Sequence, residues 1–162
     1  MEVMRDPAVV QQDSADPHTL DSRAPRAHHE HMTAFQTTHA FSGFSVDDID
    51  AARSFYGDTL GMDVSTNAMG FLDIRLSDGG AILAYAKPNH EPASFTILNF
   101  PVDDIDAAVD ELNAKGVVTK IYDDSEFATD DKGILRGGPE TGPDIAWFRD
   151  PAGNVLAVMA AG

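Results

Sequence analysis

The chain spells the heptapeptide Val-Asp-Asp-Ile-Asp-Ala-Ala twice, at Val46–Ala52 and again at Val102–Ala108. An internal repeat restricts the fold more than any single residue can, because a repeated segment folds as a repeated supersecondary unit. In each copy an alternating apolar segment comes before the heptapeptide and helically spaced apolar residues come after it. The valine therefore closes a strand, an aspartate accepts from the free amides of the first helical turn, and Ile and Ala begin the buried helix face. The remaining aspartates favour the positive end of the helix dipole. The repeat reads as a structural joint and not as a pair of catalytic carboxylates.

Both joints sit within the same order of elements. In the first copy His39–Val46 alternates as a strand, and Asp47 or Asp48 caps a helix over Ile49–Leu60, which Gly61 ends. Strands follow at Met62–Thr66, Phe71–Leu76 and Ala81–Ala86, the last two joined by Ser77-Asp78-Gly79-Gly80. The second copy places a strand at Phe95–Val102, a cap at Asp103 or Asp104, and a helix over Ile105–Lys115 that stops at Gly116. Its last three strands are expected at Val117–Tyr122, Asp144–Phe148 and Asn154–Met159. The expected architecture is α+β: two βαβββ modules, residues 37–88 and 93–162, within one domain at 37–162.

Two segments fall outside the duplicated plan. Residues 123–143, acidic and glycine-rich, have no counterpart in the first copy, and a loop of that length reads either as a cover for a binding site or as a floppy insertion. Residues 1–36 lack apolar periodicity and read as a disordered extension, with Met32 as an alternative start. They lack the apolar core of a secretory signal, so a cytoplasmic location is expected. Their run His28-His29-Glu30-His31 reads as a solvated cluster and not a metal site.

Composition narrows the partners. Twenty-seven acids against 11 bases, a formal charge of -16, argue against nucleic acid and anionic membranes, which both recruit Lys and Arg. The absence of cysteine excludes disulfides, thiolate metal sites and cysteine nucleophiles. No stretch approaches the roughly 20 apolar residues of a membrane span. There is no G-x-S-x-G elbow, nothing in the sequence places Ser, His and Asp together, and Gly137-Gly138 runs into Pro139 and acids rather than a phosphate-binding Lys.

The duplicated modules, with FYGDTLGMDV after the first helix and AWFRDPAGNVLAVM at the end, resemble the vicinal oxygen chelate superfamily over about Thr37–Ala161. That superfamily includes glyoxalases, bleomycin-resistance proteins and extradiol dioxygenases. The resemblance implies that each module curls into a half-barrel, that the halves form a cup holding a small organic molecule, and that the protein is a homodimer. Metal-using relatives place His, Gln or Glu ligands on the first and fourth strands of each module. Counting from the repeated valines gives Phe41 and Ile97 at those positions, and counting from Gly80 and Gly153 gives Ala84 and Ala157. None carries a donor for a divalent ion, so no metal and no other cofactor is expected.

Strand parity then selects the side chains that face the cup. Leu72, Ile74 and Leu76 suit packing under the helices, which turns Phe71, Asp73 and Arg75 the other way. By the same alternation Trp147 faces the cup with Ile145 and Arg149. The expected ligand-binding residues are Phe41, Asp73, Arg75, Phe95, Ile97, Asn99, Trp147 and Met159. The expected function is glyoxalase/bleomycin-resistance-like binding of a small organic molecule in an apolar cup without a divalent ion. An alternative is a metal-independent lyase or isomerase with Asp73 or His39 as general base and Arg75 or Trp147 orienting the substrate. A third is a metal-dependent glyoxalase-like lyase whose ligands lie in a shifted register. Duller roles are an Asp73–Arg75 ion pair, a core Trp147, a surface His39 and an exposed His90 in the linker Lys87–Pro92.

Overall fold

Of each Asp-Asp pair, the second residue is the cap. Asp48 Oδ1 accepts from the amides of Asp50 and Ala51, both at 3.0 Å, and Asp104 Oδ1 accepts from Ala107 at 3.0 Å. The computed structural model describes Phe35 and residues 37–162; the rest of the N-terminal extension, with His28–His31 and Met32, lies outside the described residues.

The first module runs β1 (Ser42–Val46), α1 (Ile49–Arg53), a π-helical segment (Ser54–Thr59), β2 (Asp63–Thr66), β3 (Leu72–Arg75) and β4 (Ala81–Ala86). The second runs β5 (Thr96–Val102), α2 (Ile105–Ala114), β6 (Ile134–Leu135), β7 (Ile145–Arg149) and β8 (Val155–Ala160). The helix expected over Ile49–Leu60 thus spans its range but widens in its second half, where the Leu60 amide bonds Phe55 O at 2.9 Å. Apolar spacing is insensitive to that change of pitch, because Phe55 and Tyr56 are buried in either ladder. His39 lies in the turn Thr37–Ala40 before β1 and not on the strand.

Each module forms one four-stranded mixed sheet, with orders β1-β4-β3-β2 and β5-β8-β7-β6, and neither closes into a barrel. The first and last strands of each module pair in parallel and the others antiparallel, as a βαβββ unit requires. The strand expected at Val117–Tyr122 does not form, and β6 arises instead inside the segment read as a loop. The edge of β7 is taken by Ile134 and Leu135, opposite Ala146 and Ile145. Residues 117–122 are held by side chains: Thr119 Oγ1 donates to Lys132 O at 2.6 Å and Lys120 Nζ to Thr129 O at 2.9 Å.

One buried cluster joins the helix-facing sides of the two sheets. It contains Leu72, Ile74 and Ala84 from the first sheet and Ala146, Phe148, Leu156 and Val158 from the second, and Phe55 meets Phe148 at a ring separation of 6.5 Å. The turn Asp150-Pro151-Ala152-Gly153-Asn154 welds this junction with buried polar groups. Tyr56, fully buried, donates its hydroxyl to Asp150 Oδ2 at 2.7 Å, and Asn154 Nδ2 donates to the same oxygen at 3.0 Å and to Ser45 O at 2.9 Å. Burial, with the Asp150 carboxylate beside it, pushes the Tyr56 phenol well above its ordinary range, so it stays a donor. Each such bond contributes about 0.5–1.5 kcal/mol net, and far more is lost if one partner is left buried and unpaired.

Candidate functional site

Because the helix-facing sides share the core, the opposite sides of both sheets are turned away from it, and these helix-free faces carry Asp73, Arg75 and Trp147. On the first sheet the alternation resolves as expected: Leu72 and Ile74 are fully buried, while Asp73 is half-buried and Arg75 exposed on the other face. The two do not pair. Asp73 accepts from Asn67 Nδ2 at 3.4 Å, and Arg75 reaches Asp63, its cross-strand neighbour on β2, at 3.5 Å. Both partners of the second contact are more than half exposed, so it contributes little to stability. Phe71 and Tyr85 lie near Asp73 with ring centroids 6.2 Å apart.

The second sheet builds a denser aromatic surface. Trp147 stacks on Phe127 at 4.9 Å with an interplanar angle of 29°. Tyr122 stands edge-on to both, 5.5 Å from Trp147 and 4.9 Å from Phe127. Trp147 comes from β7, while Tyr122 and Phe127 come from the connection after α2, which lays its rings over the sheet. Neither was expected at the site. Tyr122 ends the expected strand that does not form, and Phe127 lies in the segment read as a loop, so periodicity assigns neither ring its observed place.

Salt bridges anchor this connection. Arg136 holds Asp106 of α2 at 2.8 Å, Asp130 at 2.8 Å and Asp144 at 3.1 Å, and Lys132 holds Asp110 at 2.7 Å. Hydrogen bonding from Arg136 keeps the Asp106 carboxyl below the usual carboxylate range. For Asp130 desolvation pulls the other way, but the amide of Ile134 and the Arg136 guanidinium together lower it too.

The other expected residues are spread along the sheets. Phe41 and Phe95 are each 70% exposed, just before β1 and β5. Phe95 and Ile97 line a cleft of about 450 Å³ between those two strands, whereas Arg75 and Asn99 border a separate groove of about 680 Å³. Ile97 falls at a β-bulge in the β5–β8 pairing. Asn99 and Trp147 both stand beside Ala157 in register, and Met159 faces Ile145 and Pro101. His39 is exposed in its turn. His90 differs from its expected exposure: half-buried, it bonds Ser45 Oγ at 2.7 Å and Ala152 O at 2.9 Å, so the fold does place a serine and a histidine together.

A family model described as the glyoxalase/bleomycin resistance protein/dioxygenase superfamily matches residues 36–158. The chain belongs to that superfamily. Solved structures similar to it include a member of the superfamily from Sphaerobacter thermophilus DSM 20745, at 22% identity and a TM-score of 0.55, covering 75% of this chain and 97% of that one. A glyoxalase family protein from Enterococcus faecalis is 21% identical with a TM-score of 0.54, over 77% and 98% of the two chains. TnmS3, an antibiotic binding protein from Streptomyces sp. CB03234, is 23% identical with a TM-score of 0.52, over 79% and 100%. Likeness at these identities concerns the fold alone. Among curated proteins none matches the chain.

Membership in this superfamily raises the question of a divalent ion. Counting placed Ala84 at a ligand position, but Ala84 is fully buried on the helix-facing side, opposite Leu72 and Phe44. The helix-free positions of β4 belong to Leu83 and Tyr85, those of β1 to Gly43 and Ser45, and those of β5 and β8 to Asn99, Pro101, Val155, Ala157 and Met159. No carboxylate or imidazole stands among them, and no group of three or more His, Asp or Glu among the described residues is placed to hold an ion. This donor set does not fit the superfamily's metal.

Proposed function

We propose that the protein binds a small planar organic molecule on the helix-free face of its second sheet, without a divalent ion, and that it does so as a homodimer. The observation that carries this reading is the stacking of Trp147 on Phe127 with Tyr122 edge-on. Offset-stacked and edge-to-face rings are worth about 0.5–1.5 kcal/mol beyond their buried area, and a planar ligand on Trp147 gains the same. Phe127, 41% exposed, occupies the place such a ligand would take. Two further points support the reading. The helix-free positions of β1, β4, β5 and β8 carry no carboxylate or imidazole, and a similar fold belongs to an antibiotic binding protein. The helix-free face of the first sheet, with Asp73 half-buried and Arg75 exposed, is left open by a single copy, which favours a second copy covering it.

Trp147 is the chain's sole tryptophan, so its emission reports the site directly. Titration with two planar probes of opposite charge, acridine orange and 1-anilinonaphthalene-8-sulfonate, should give saturable quenching by at least one of them, unchanged by EDTA. Trp147→Leu, followed by the probe's own fluorescence, should weaken that binding about tenfold or more, equivalent to about 1.4 kcal/mol. Absence of saturation with either probe, or loss of binding in EDTA, would count against the reading. Sedimentation as a monomer at the assay concentration would remove the homodimer from it.

A further inference from the structure

Ser45 and His90 form a second constellation, away from the aromatic face. Ser45 is half-buried on the helix-free side of β1 and borders the 450 Å³ cleft between β1 and β5. Its Oγ lies 2.7 Å from His90 Nδ1, and His90 Nε2 lies 2.9 Å from Ala152 O. A carbonyl oxygen only accepts, so Nε2 carries the proton. In the neutral ring Nδ1 is then the free base, and the Ser45 hydroxyl donates to it. This is a nucleophile hydrogen-bonded to a base whose tautomer and orientation are set by a third group.

The backbone supplies the remaining part. In an extended strand the N–H and C=O of one residue point to the same side. Ser45 O accepts from Asn154 across the junction, away from β4, so the Ser45 N–H points that way, and so does the N–H of Gly43 one repeat earlier. Gly43 and Ser45 both line this cleft, so a developing oxyanion bound in it could accept from their amides. Phe95 and Ile97 give the cleft an apolar wall, and Glu91 at its edge disfavours an anionic substrate.

We propose that Ser45 and His90 are a hydrolytic pair acting on small neutral or cationic carboxylic esters, a function distinct from ligand binding at Trp147. Ser45 Oγ bonds to the acyl carbon while its proton passes to His90 Nδ1. The C–O bond to the alcohol breaks, and the alcohol leaves with that proton. Water then attacks the acyl-serine, giving one proton to Nδ1 and its hydroxyl to the acyl carbon. The acid departs as Ser45 Oγ recovers the proton.

The test uses the full chain and an alkyl fluorophosphonate probe, read by intact mass and peptide mapping, with p-nitrophenyl butyrate hydrolysis in parallel. The proposal expects one adduct, on Ser45, and a hydrolysis rate that falls at least 100-fold in Ser45→Ala and His90→Gln, within the range a general base contributes. Circular dichroism establishes that the variants are folded. Wild-type protein that stays unlabelled, or is labelled at another residue, overturns the proposal without reference to any variant. So does a folded Ser45→Ala protein that hydrolyses the ester at the wild-type rate.

Discussion

Asp47 and Asp48 are adjacent, chemically identical and both exposed, yet only Asp48 accepts from the first turn of its helix, and Asp103 and Asp104 divide in the same way. The difference is backbone geometry. Asp48 and Asp104 sit at the cap with extended dihedrals, φ -131 and -129, that aim the carboxylate back at the amides ahead. Replacing Asp48 or Asp104 by Ala should therefore cost about 1 kcal/mol each, while Asp47→Ala should be neutral within about 0.5 kcal/mol. Urea denaturation of the three variants checks this. Equal losses at Asp47 and Asp48 would mean that the effect is helix-dipole charge and not capping.

At the scale of elements, the strands bounding each joint and both helix starts were legible, because alternation and capping act over a few neighbouring residues. The region between α2 and β7 was not. Its order depends on Arg136 meeting Asp106, Asp130 and Asp144, contacts that span up to 30 positions and leave no local pattern. Asp106 and Asp130 are lowered in the fold, so the stabilisation they provide is complete above the unfolded carboxylate range, near pH 4, and is lost as pH falls through their folded values. Arg136→Ala should lower Tm at pH 7, and the gap to wild type should close progressively below about pH 4. A gap that persists at pH 2.5 would show that packing of the Arg136 stem holds the segment. For the Phe127 ring the expectation is separate: Phe127→Ala should red-shift Trp147 emission and tighten binding of a planar probe, since no internal ring then competes for the stack.

Across the whole molecule, parity on β3 and β7 correctly assigned which side chains leave the core, but it could not tell that the two helix-free faces point away from one shared core, nor that Ser45 meets His90. Both follow from how the modules meet, through the shared apolar core and through the turn at Asp150–Asn154, whose Ala152 O also holds His90. Asp150, 5% exposed, accepts from Tyr56, from Asn154 Nδ2 and from the Asn154 amide at 2.8 Å. Asp150→Ala leaves those donors buried together, at a cost of about 3 kcal/mol. Tyr56→Phe removes one donor and leaves the carboxylate bonded to Asn154, so about 1 kcal/mol is expected. Because the core is continuous between sheets, Trp147 emission, which reports the second module, and far-UV circular dichroism, which reports both, should lose their native signals at one denaturant concentration in wild type and in Tyr56→Phe. If the two midpoints separate in Tyr56→Phe, the modules unfold independently and the polar weld, rather than the shared apolar core, is what couples them.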